Sequence, residues 1–467
     1  MKTIWTLTTL LLVAALGLAA CGPAATTAAP TAAPTEKPTE PPKPTATEAP
    51  KLTEAPTPTE APTGLTCADP IKIGLIGDYT GPLAVYGAMQ MRSFMLGMEY
   101  LAGAPGSAGE IFTLDKKTNT FKIDNCEITV IVADDQGNAE TTATVARELI
   151  EVEQVDILVG SVSSPTTATL QGLAKDNKKV LVVNPAAAND ITGVNFNEYT
   201  FRTSRENYQD FINLCKYLTT KYKKFVQIAP ETSFGQGGAA SARDACTYFG
   251  GEFVADDIFA PIETTEFTPY IEQVLNSGAE AWVVTWAGAG FIPMFNTAKE
   301  LGVFDNIALA ASLANNATIP IYAPALGQNS GILYHYTLPK NKINDWLVEQ
   351  DKARYGTPPD LFDADGMNAA IMLVEALKKT NGDSSSEALI KVMEGMEFEG
   401  PKGTISIRPE DHVAIQDMYI VKILNVDDKD FKFFELVETT RPEPPCLLPE
   451  ALKSRCGSLP YGSLSGK

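Results

Sequence analysis

Residues 71–82, with the sequence IKIGLIGDYTGP, decide the fold that we predict for this chain. The first half is a continuous apolar run of strand length, which is typical of a parallel strand buried on both faces. The second half ends the strand in a polar turn that contains glycine and proline. The next stretch, residues 85–101, is amphipathic, since Met89, Phe94 and Met98 fall on one helical face. The segment therefore predicts a strand, a loop and a helix, the first part of a βαβ unit.

The same alternation of strand and helix continues along the chain. Further strands are predicted at residues 128–132, 155–159 and 180–183, and a helix is predicted at 140–152. A second series of strand-like runs lies at residues 225–228, 253–258, 282–285 and 307–309. Strands that alternate with helices at this spacing indicate right-handed crossovers and parallel sheets. Two such series predict an α/β protein with two doubly wound lobes.

The N-terminus has the pattern of an exported lipoprotein. Lys2 precedes an apolar segment, residues 4–18, that is too short to span a bilayer and is followed by small residues and Cys21. We expect residues 1–20 to be a cleaved signal peptide and Cys21 to be lipidated, which would hold the protein outside the cell membrane. An ordinary signal peptide with an incidental cysteine is the alternative. Residues 21–66 are rich in Pro, Thr and Ala and predict an extended tether that cannot form a core.

Charge and composition exclude several classes of function. The chain has 37 Lys and Arg residues against 57 Asp and Glu, a formal net charge of −20. We therefore expect no nucleic-acid partner, because phosphate binding requires a basic surface. The two histidines are far apart, and CxxC, HExxH, Walker and GxSxG motifs are absent. We predict no enzyme activity, no cofactor and no metal site.

Six cysteines remain once Cys21 is lipidated. In an exported protein they can form three disulfides in several connectivities. Two of them each precede a strand-like run, two lie on successive predicted helices, and two flank a short terminal loop. These positions favour the pairs Cys67–Cys126, Cys215–Cys246 and Cys446–Cys456. Buried free thiols are the alternative.

The order of several short motifs resembles the leucine/isoleucine/valine-type extracellular solute-binding proteins, which are type I periplasmic binding proteins. The motifs are IGLIGDYTGP at 73–82, ADDQGN at 133–138, VGSVSS at 159–164, NPAAA at 184–188, FRT at 201–203, FGQG at 234–237 and GPKGTI at 400–405. The similarity covers about residues 68–440. It implies two doubly wound parallel-sheet lobes joined by a hinge that the chain crosses three times. Lobe 1 would comprise residues 68–200 plus 338–396, lobe 2 residues 201–337 plus 397–440, and a C-terminal tail residues 441–467.

The resemblance also implies a ligand site in the cleft between the lobes. A serine at the start of a helix holds the ligand carboxylate in this family, together with groups of the turn after the next strand. The matching candidates are Ser163, Ser164, Ala186, Ala187 and Ala188, although helix capping alone would also explain the serines. Aromatic residues that wall the family's pocket match Tyr86, Phe234 and Trp286, for which core packing is the alternative.

The chain departs from the family at the position that pairs with a ligand ammonium group. Binders of α-amino acids have an acidic residue there, whereas residues 310–314 read AASLA and place Ser312 in this region. Asp365 or Asn368, on a later predicted helix, would have to replace that acid. An unpaired ammonium in a closed cleft is costly. The ligand is thus left open between an amino acid, especially a branched-chain one, and a related carboxylate or amide.

We predict a lipid-anchored extracytoplasmic solute-binding protein, expected to be a monomer, that delivers a small polar ligand to an ABC permease in the membrane. One alternative is a sensory receptor subunit that docks on a membrane signalling partner. Another is a cell-surface adhesin.

Overall fold

The computed structural model describes residues 64–103 and 111–467. The predicted signal peptide, the lipidation site Cys21 and nearly all of the tether lie outside the described residues. Within the described ranges, no helix is both long enough and apolar enough to cross a membrane.

A six-stranded sheet forms the centre of the first lobe, and β1 lies in its middle. Strand β1 pairs in parallel with β3 on one side and with β4 on the other. The strand order is β2-β3-β1-β4-β5-β6, and β2 alone is antiparallel to its neighbour. The strands are β1 (Ile71–Gly77), β2 (Thr118–Ile123), β3 (Cys126–Asp134), β4 (Ile157–Val159), β5 (Val180–Val183) and β6 (Thr200–Arg202). The first three helices are α1 (Ala84–Leu101), α2 (Ala139–Arg147) and α3 (Ser164–Asp176).

A parallel five-stranded sheet forms the centre of the second lobe. Its order is β11-β10-β7, after which both β8 and β9 pair with the other side of β7. The strands are β7 (Lys224–Pro230), β8 (Glu252–Phe253), β9 (Ile258–Ala260), β10 (Ala281–Val284) and β11 (Ala308–Ala311). The helices are α4 (Asn207–Lys221), α5 (Ser233–Tyr248), α6 (Thr268–Asn276) and α7 (Phe291–Glu300). The predicted α/β architecture with two doubly wound lobes is confirmed.

The rest of the chain returns to both lobes. Helix α9 packs along α1 of the first lobe, whereas β12 and β16 pack on α4 of the second. The elements are β12 (Asn329–Ile332), α8 (Lys342–Tyr355), α9 (Asp363–Lys379), α10 (Ser386–Met393), β13 (Glu397–Gly400), β14 (Gly403–Ile407), β15 (Ala414–Ile415), β16 (Met418–Ile423) and β17 (Phe434–Thr440). The chain therefore passes between the lobes after β6, after β12 and after β15.

The hairpin of β13 and β14 belongs with the first lobe, although the sequence analysis places residues 397–440 in the second. Phe398 and Ile405 lie in the same buried cluster as Ile73 and Phe94. The physical reason is that α9 offers this hairpin an apolar surface. Only β16 and β17 join β12 in the second lobe. We accordingly propose that the third crossing lies at residues 416–417.

Three disulfides join the cysteines in the predicted pairs, Cys67–Cys126, Cys215–Cys246 and Cys446–Cys456. The last pair closes a loop in the C-terminal tail, which touches both lobes. Arg455 donates to Glu394 Oε1 at 2.6 Å, and Glu394 directly follows helix α10 of the first lobe. The main-chain N–H of Leu464 donates to Asp244 Oδ2 on α5 of the second lobe at 2.8 Å.

Candidate ligand-binding site

A cavity of about 410 Å³ is lined by both lobes. Most of its walls are loops that follow the carboxyl ends of strands. From the first lobe these are Asp78 after β1, Ser163 and Ser164 after β4, and residues 185–187 after β5. From the second lobe they are Thr232 and Phe234 after β7, residues 287–289 after β10, and Leu313 after β11. Open parallel sheets bind ligands at this edge, and the volume suits a small molecule.

The wall of the cavity is largely apolar and aromatic. Two of the predicted aromatic residues line it, namely Tyr86, in the first turn of α1, and Phe234, at the start of α5. Phe362, which the sequence analysis missed, meets Tyr86 edge to face at 5.1 Å between ring centroids. Leu83, Val162 and Leu313 are among the other apolar residues of the lining. Such a wall excludes water from the body of a ligand and leaves its polar ends to a few specific groups.

The hydroxyl of Tyr86 reaches the second lobe. Burial raises the pKa of Tyr86 to about 12, while interactions with the Gly288 main chain and the Asn315 side chain lower it. A second contact between the lobes lies nearby, since the Asn316 N–H donates to Asp360 Oδ2 at 3.0 Å. Tyr86, near the start of α1, and Asp360, just before α9, thus touch the loops after β10 and β11.

The serines at the start of α3 face the cavity, and Ser163 does not use its side chain as a helix cap. The Ser164 oxygen accepts the Ala188 N–H at 3.1 Å, and the side chain is only 4% exposed. Among the described residues no acceptor is found for the Ser164 hydroxyl proton. This proton and the N-terminus of α3 can therefore both be directed at an anionic ligand group.

One buried cation lines the cavity, and the sequence analysis missed it. Arg205 lies in the loop between β6 and α4, at the first crossing between the lobes, and is 1% exposed. Its Nε contacts Asp210 Oδ2 at 3.2 Å, and its Nη1 donates to the Pro185 carbonyl at 2.8 Å. The only available signal in the sequence was a basic residue close behind the FRT motif, at the end of a strand.

Three predicted residues lie beside the cavity without lining it. The Ala188 main chain is used within the protein, because its N–H binds Ser164 and its carbonyl accepts from Arg202. Trp286 is 1% exposed and packs against Phe267, with ring centroids 5.3 Å apart, in the core of the second lobe. Ser312 is buried, and the following residue, Leu313, faces the cavity in its place. The candidates Ala186 and Ala187, by contrast, line the cavity.

Asp365 and Asn368 are fully buried on α9 and do not line the cavity. Neither side chain has a hydrogen-bond partner among the described residues. Burial raises the pKa of Asp365 to about 6, although the positive charges of Lys402 and Arg205 lower it. In this structure neither residue is therefore placed to receive the ammonium group of a ligand in the cavity.

Two doubly wound lobes with a cavity at their facing strand ends define a two-lobe protein with space for a small molecule between its lobes. Residues 70–430 match the family model described as Periplasmic binding protein, and the chain belongs to this family.

Individual relatives agree with this assignment. The chain is 25% identical over 390 residues to Leu/Ile/Val-binding protein homolog 6 of Brucella abortus (strain 2308), a match that covers 79% of this chain and 92% of that protein. It is 31% identical to a crystal structure of an ABC-type branched-chain amino acid transporter from Rhodopseudomonas palustris CGA009, with a TM-score of 0.65, covering 79% of this chain and 96% of that one. A solute-binding protein of an R. palustris ABC transporter in complex with benzoate is 21% identical, with a TM-score of 0.68, covering 80% and 97%. The last likeness shows the fold alone.

Proposed function

We propose that this protein is the extracytoplasmic solute-binding component of an ABC importer and captures a small carboxylate-bearing or amide-bearing solute between its lobes. The cavity carries the proposal, because loops from both sheets converge on it and its lining includes hydrogen-bond donors at the start of α3 and at Arg205. The relatives support the proposal, since they include a Leu/Ile/Val-binding protein homologue and an ABC-type branched-chain amino acid transporter.

The proposed action is capture and delivery. A ligand would first bind the loops of one lobe, and closure of the other lobe would remove it from water. The closed form would then dock on the permease, which is a partner we infer from the family. The aromatic wall would select an apolar ligand body, and Ser164 would hold an acceptor group at one end.

Thermal unfolding with a panel of small solutes tests this function. The panel contains leucine, valine, their 2-oxo acids, benzoate, 4-hydroxybenzoate and simple amides. A ligand at a hundred times its Kd stabilises a protein by about 2.7 kcal/mol, which gives a clear rise in the unfolding temperature. We expect at least one member of the panel to raise it in a saturable manner. A panel without any effect, repeated on protein that was unfolded and refolded to remove carried-over ligand, contradicts the proposal.

The membrane anchor is a separate part of the proposal and rests on the sequence around Cys21. We expect the wild-type protein to fractionate with membranes and a Cys21→Ser variant to be released, because the variant cannot receive a lipid at this position. Ser164→Ala serves as the matched control, since it changes the cleft and leaves the N-terminus intact. A Cys21→Ser protein that stays with salt-washed membranes contradicts lipid anchoring and leaves the ligand site untouched.

A further inference from the structure

Arg205 presents a guanidinium group to the ligand cavity from a buried position. The side chain lines the cavity and is 1% exposed. Its Cζ lies over the Phe362 ring, 5.2 Å from the ring centroid, which is within the range of a cation–π contact. The Pro185 carbonyl accepts from Nη1 at 2.8 Å, and Asp210 contacts Nε. The group is therefore fixed in position before any ligand arrives.

The hydrogen-bonding capacity of Arg205 is only partly used. A guanidinium has five N–H donors. Among the described residues, contacts are found for Nε and Nη1 and no hydrogen bond is found for Nη2. Asp365 interacts with Arg205 electrostatically, but its carboxyl oxygens form no hydrogen bond. Arg205 is ion-paired with Asp210, but a buried guanidinium that lines a cavity and keeps unused donors can still receive an acceptor group from a ligand.

The other charged groups of the cavity do not offset this cation. Asp78 is buried, but its two oxygens accept the main-chain N–H groups of Gly81 and Leu83, at 2.6 and 2.8 Å. Glu263 also lines the cavity, but it is exposed on the loop after β9, where water screens its charge. The region where α-amino-acid binders place an acid contains Ser312, which is buried and does not line the cavity.

We infer that Arg205 is the specificity-determining residue of the cleft and selects a carboxylate on an apolar body that carries no α-ammonium group. This inference rests on the proposed function and names the class of its ligand. The planar guanidinium matches the geometry of a carboxylate. Tyr86, Phe234 and Phe362 surround the apolar body. An amino acid would bring a positive charge into a buried cleft that already holds Arg205. Among the described residues that line the cavity, the only buried carboxylate is Asp78, whose oxygens already accept two main-chain N–H groups.

The test compares acids with amides of the same shape. Calorimetry would measure benzoate against benzamide, 3-methylbutanoate against 3-methylbutanamide, and 4-methyl-2-oxopentanoate against leucine. The variants are Arg205→Met, which removes the charge, and Arg205→Lys, which keeps the charge but lacks the planar pair of N–H donors of a guanidinium. Arg243→Met is the matched control, because it removes one positive charge from a 40% exposed side chain that contacts Asp257 on the second lobe.

We expect the wild-type protein and Arg243→Met to bind at least one acid at least tenfold more tightly than its amide, and the oxo acid more tightly than leucine. Arg205→Met should lose roughly ten- to a hundredfold in affinity for the acid, the range for one hydrogen bond to a charged group, and little for the amide. The ratio of the affinity for the acid to the affinity for its amide should therefore fall towards one. The acid-to-amide affinity ratio of Arg205→Lys should lie between the ratios of the wild-type protein and Arg205→Met. Arg205→Lys also serves as the test variant if Arg205→Met does not fold.

Three results would overturn the inference. A wild-type preference for leucine over its oxo acid would show that the ammonium group has a partner. Equal affinity of the wild-type protein for acids and amides would show that the site does not select a carboxylate. A parallel loss for acid and amide in both Arg205 variants would make Arg205 a structural residue. In each of these cases a ligand still binds, so the proposed function survives, whereas a wild-type protein that binds neither series contradicts both.

Discussion

Ser164 is the residue at which the helix terminus and the cavity meet. Its oxygen accepts the Ala188 N–H, and among the residues that the structure describes no acceptor is found for its proton. We expect Ser164→Ala to weaken ligand binding by roughly ten- to a hundredfold, because one hydrogen bond to a charged group is worth about 1.5–3 kcal/mol. Calorimetry with the best carboxylate ligand measures this loss, and the unfolding temperature without ligand serves as the control. Unchanged affinity would show that Ser164 does not bind the ligand and only positions the loop after β5 through its hydrogen bond with Ala188.

His335 gives the stability of the protein a dependence on pH. Its Nε2 lies 2.9 Å from the Phe431 carbonyl, and burial lowers the pKa of the imidazole to about 4. An unfolded histidine titrates near pH 6.5, so the folded state binds fewer protons between about pH 6.5 and 4. The stability that neutral His335 contributes is complete above pH 6.5 and is lost as the pH falls through this window.

We therefore expect the free energy of unfolding to fall less steeply with acid in His335→Gln than in the wild-type protein. The difference in slope should approach about 1.4 kcal/mol per pH unit within the window. Urea titrations at pH 7, 5.5 and 4.5 would measure it, and the other titrating groups cancel in the comparison. Parallel curves for the two proteins would show that His335 does not drive acid unfolding.

At the residue scale, the sequence revealed positions next to strand ends more reliably than it revealed the directions of side chains. Tyr86, Ser164 and Phe234 line the cavity because the loops that carry them follow strands or begin helices there. Trp286 follows a strand as well, but its ring turns into the core. The role of Arg205 depends on its tertiary contact with the Pro185 carbonyl, which no local pattern encodes.

Among the elements, long buried strands were predictable and short or half-exposed ones were not. The continuous apolar run of β1 was sufficient to predict a strand. By contrast, β2 alternates buried and exposed residues and contains few apolar ones. The predicted strand at residues 253–258 is two short strands, β8 and β9, which both pair with β7. Pairing with a neighbour decides such short elements, and it is not visible in a single segment.

The disulfides connect elements over very different lengths of chain. Cys67 and Cys126 are separated by 59 residues, but Cys446 and Cys456 by only 10. Because a longer closed loop restricts the unfolded chain more, loss of the first bond should cost about 1.5 kcal/mol more than loss of the second. Denaturant unfolding of the two Cys→Ser double variants tests this order. Equal or reversed losses would show that native-state contacts of the tail outweigh the loop entropy.

At the scale of the whole molecule, we propose that the three crossings between the lobes act as a hinge about which the cleft opens. Tyr86 and Asp360 of the first lobe meet the Asn315–Asn316 segment of the second. A bound ligand should favour this contact, so small-angle scattering should give a smaller radius of gyration at saturation than without ligand. A scattering profile that does not change with a proven ligand would indicate a rigid cleft.

The central claim is that one ligand binds in the cavity between the lobes, and a variant that fills the cavity tests it most directly. Ala287 lines the cavity from the loop after β10 and is only partly buried, so Ala287→Trp should fill the space without disturbing the core. Calorimetry with the most stabilising ligand should give one site per chain in the wild-type protein and no measurable binding in Ala287→Trp, with similar unfolding temperatures in the absence of ligand. Binding of the same strength by a folded Ala287→Trp protein would place the ligand elsewhere and contradict the account.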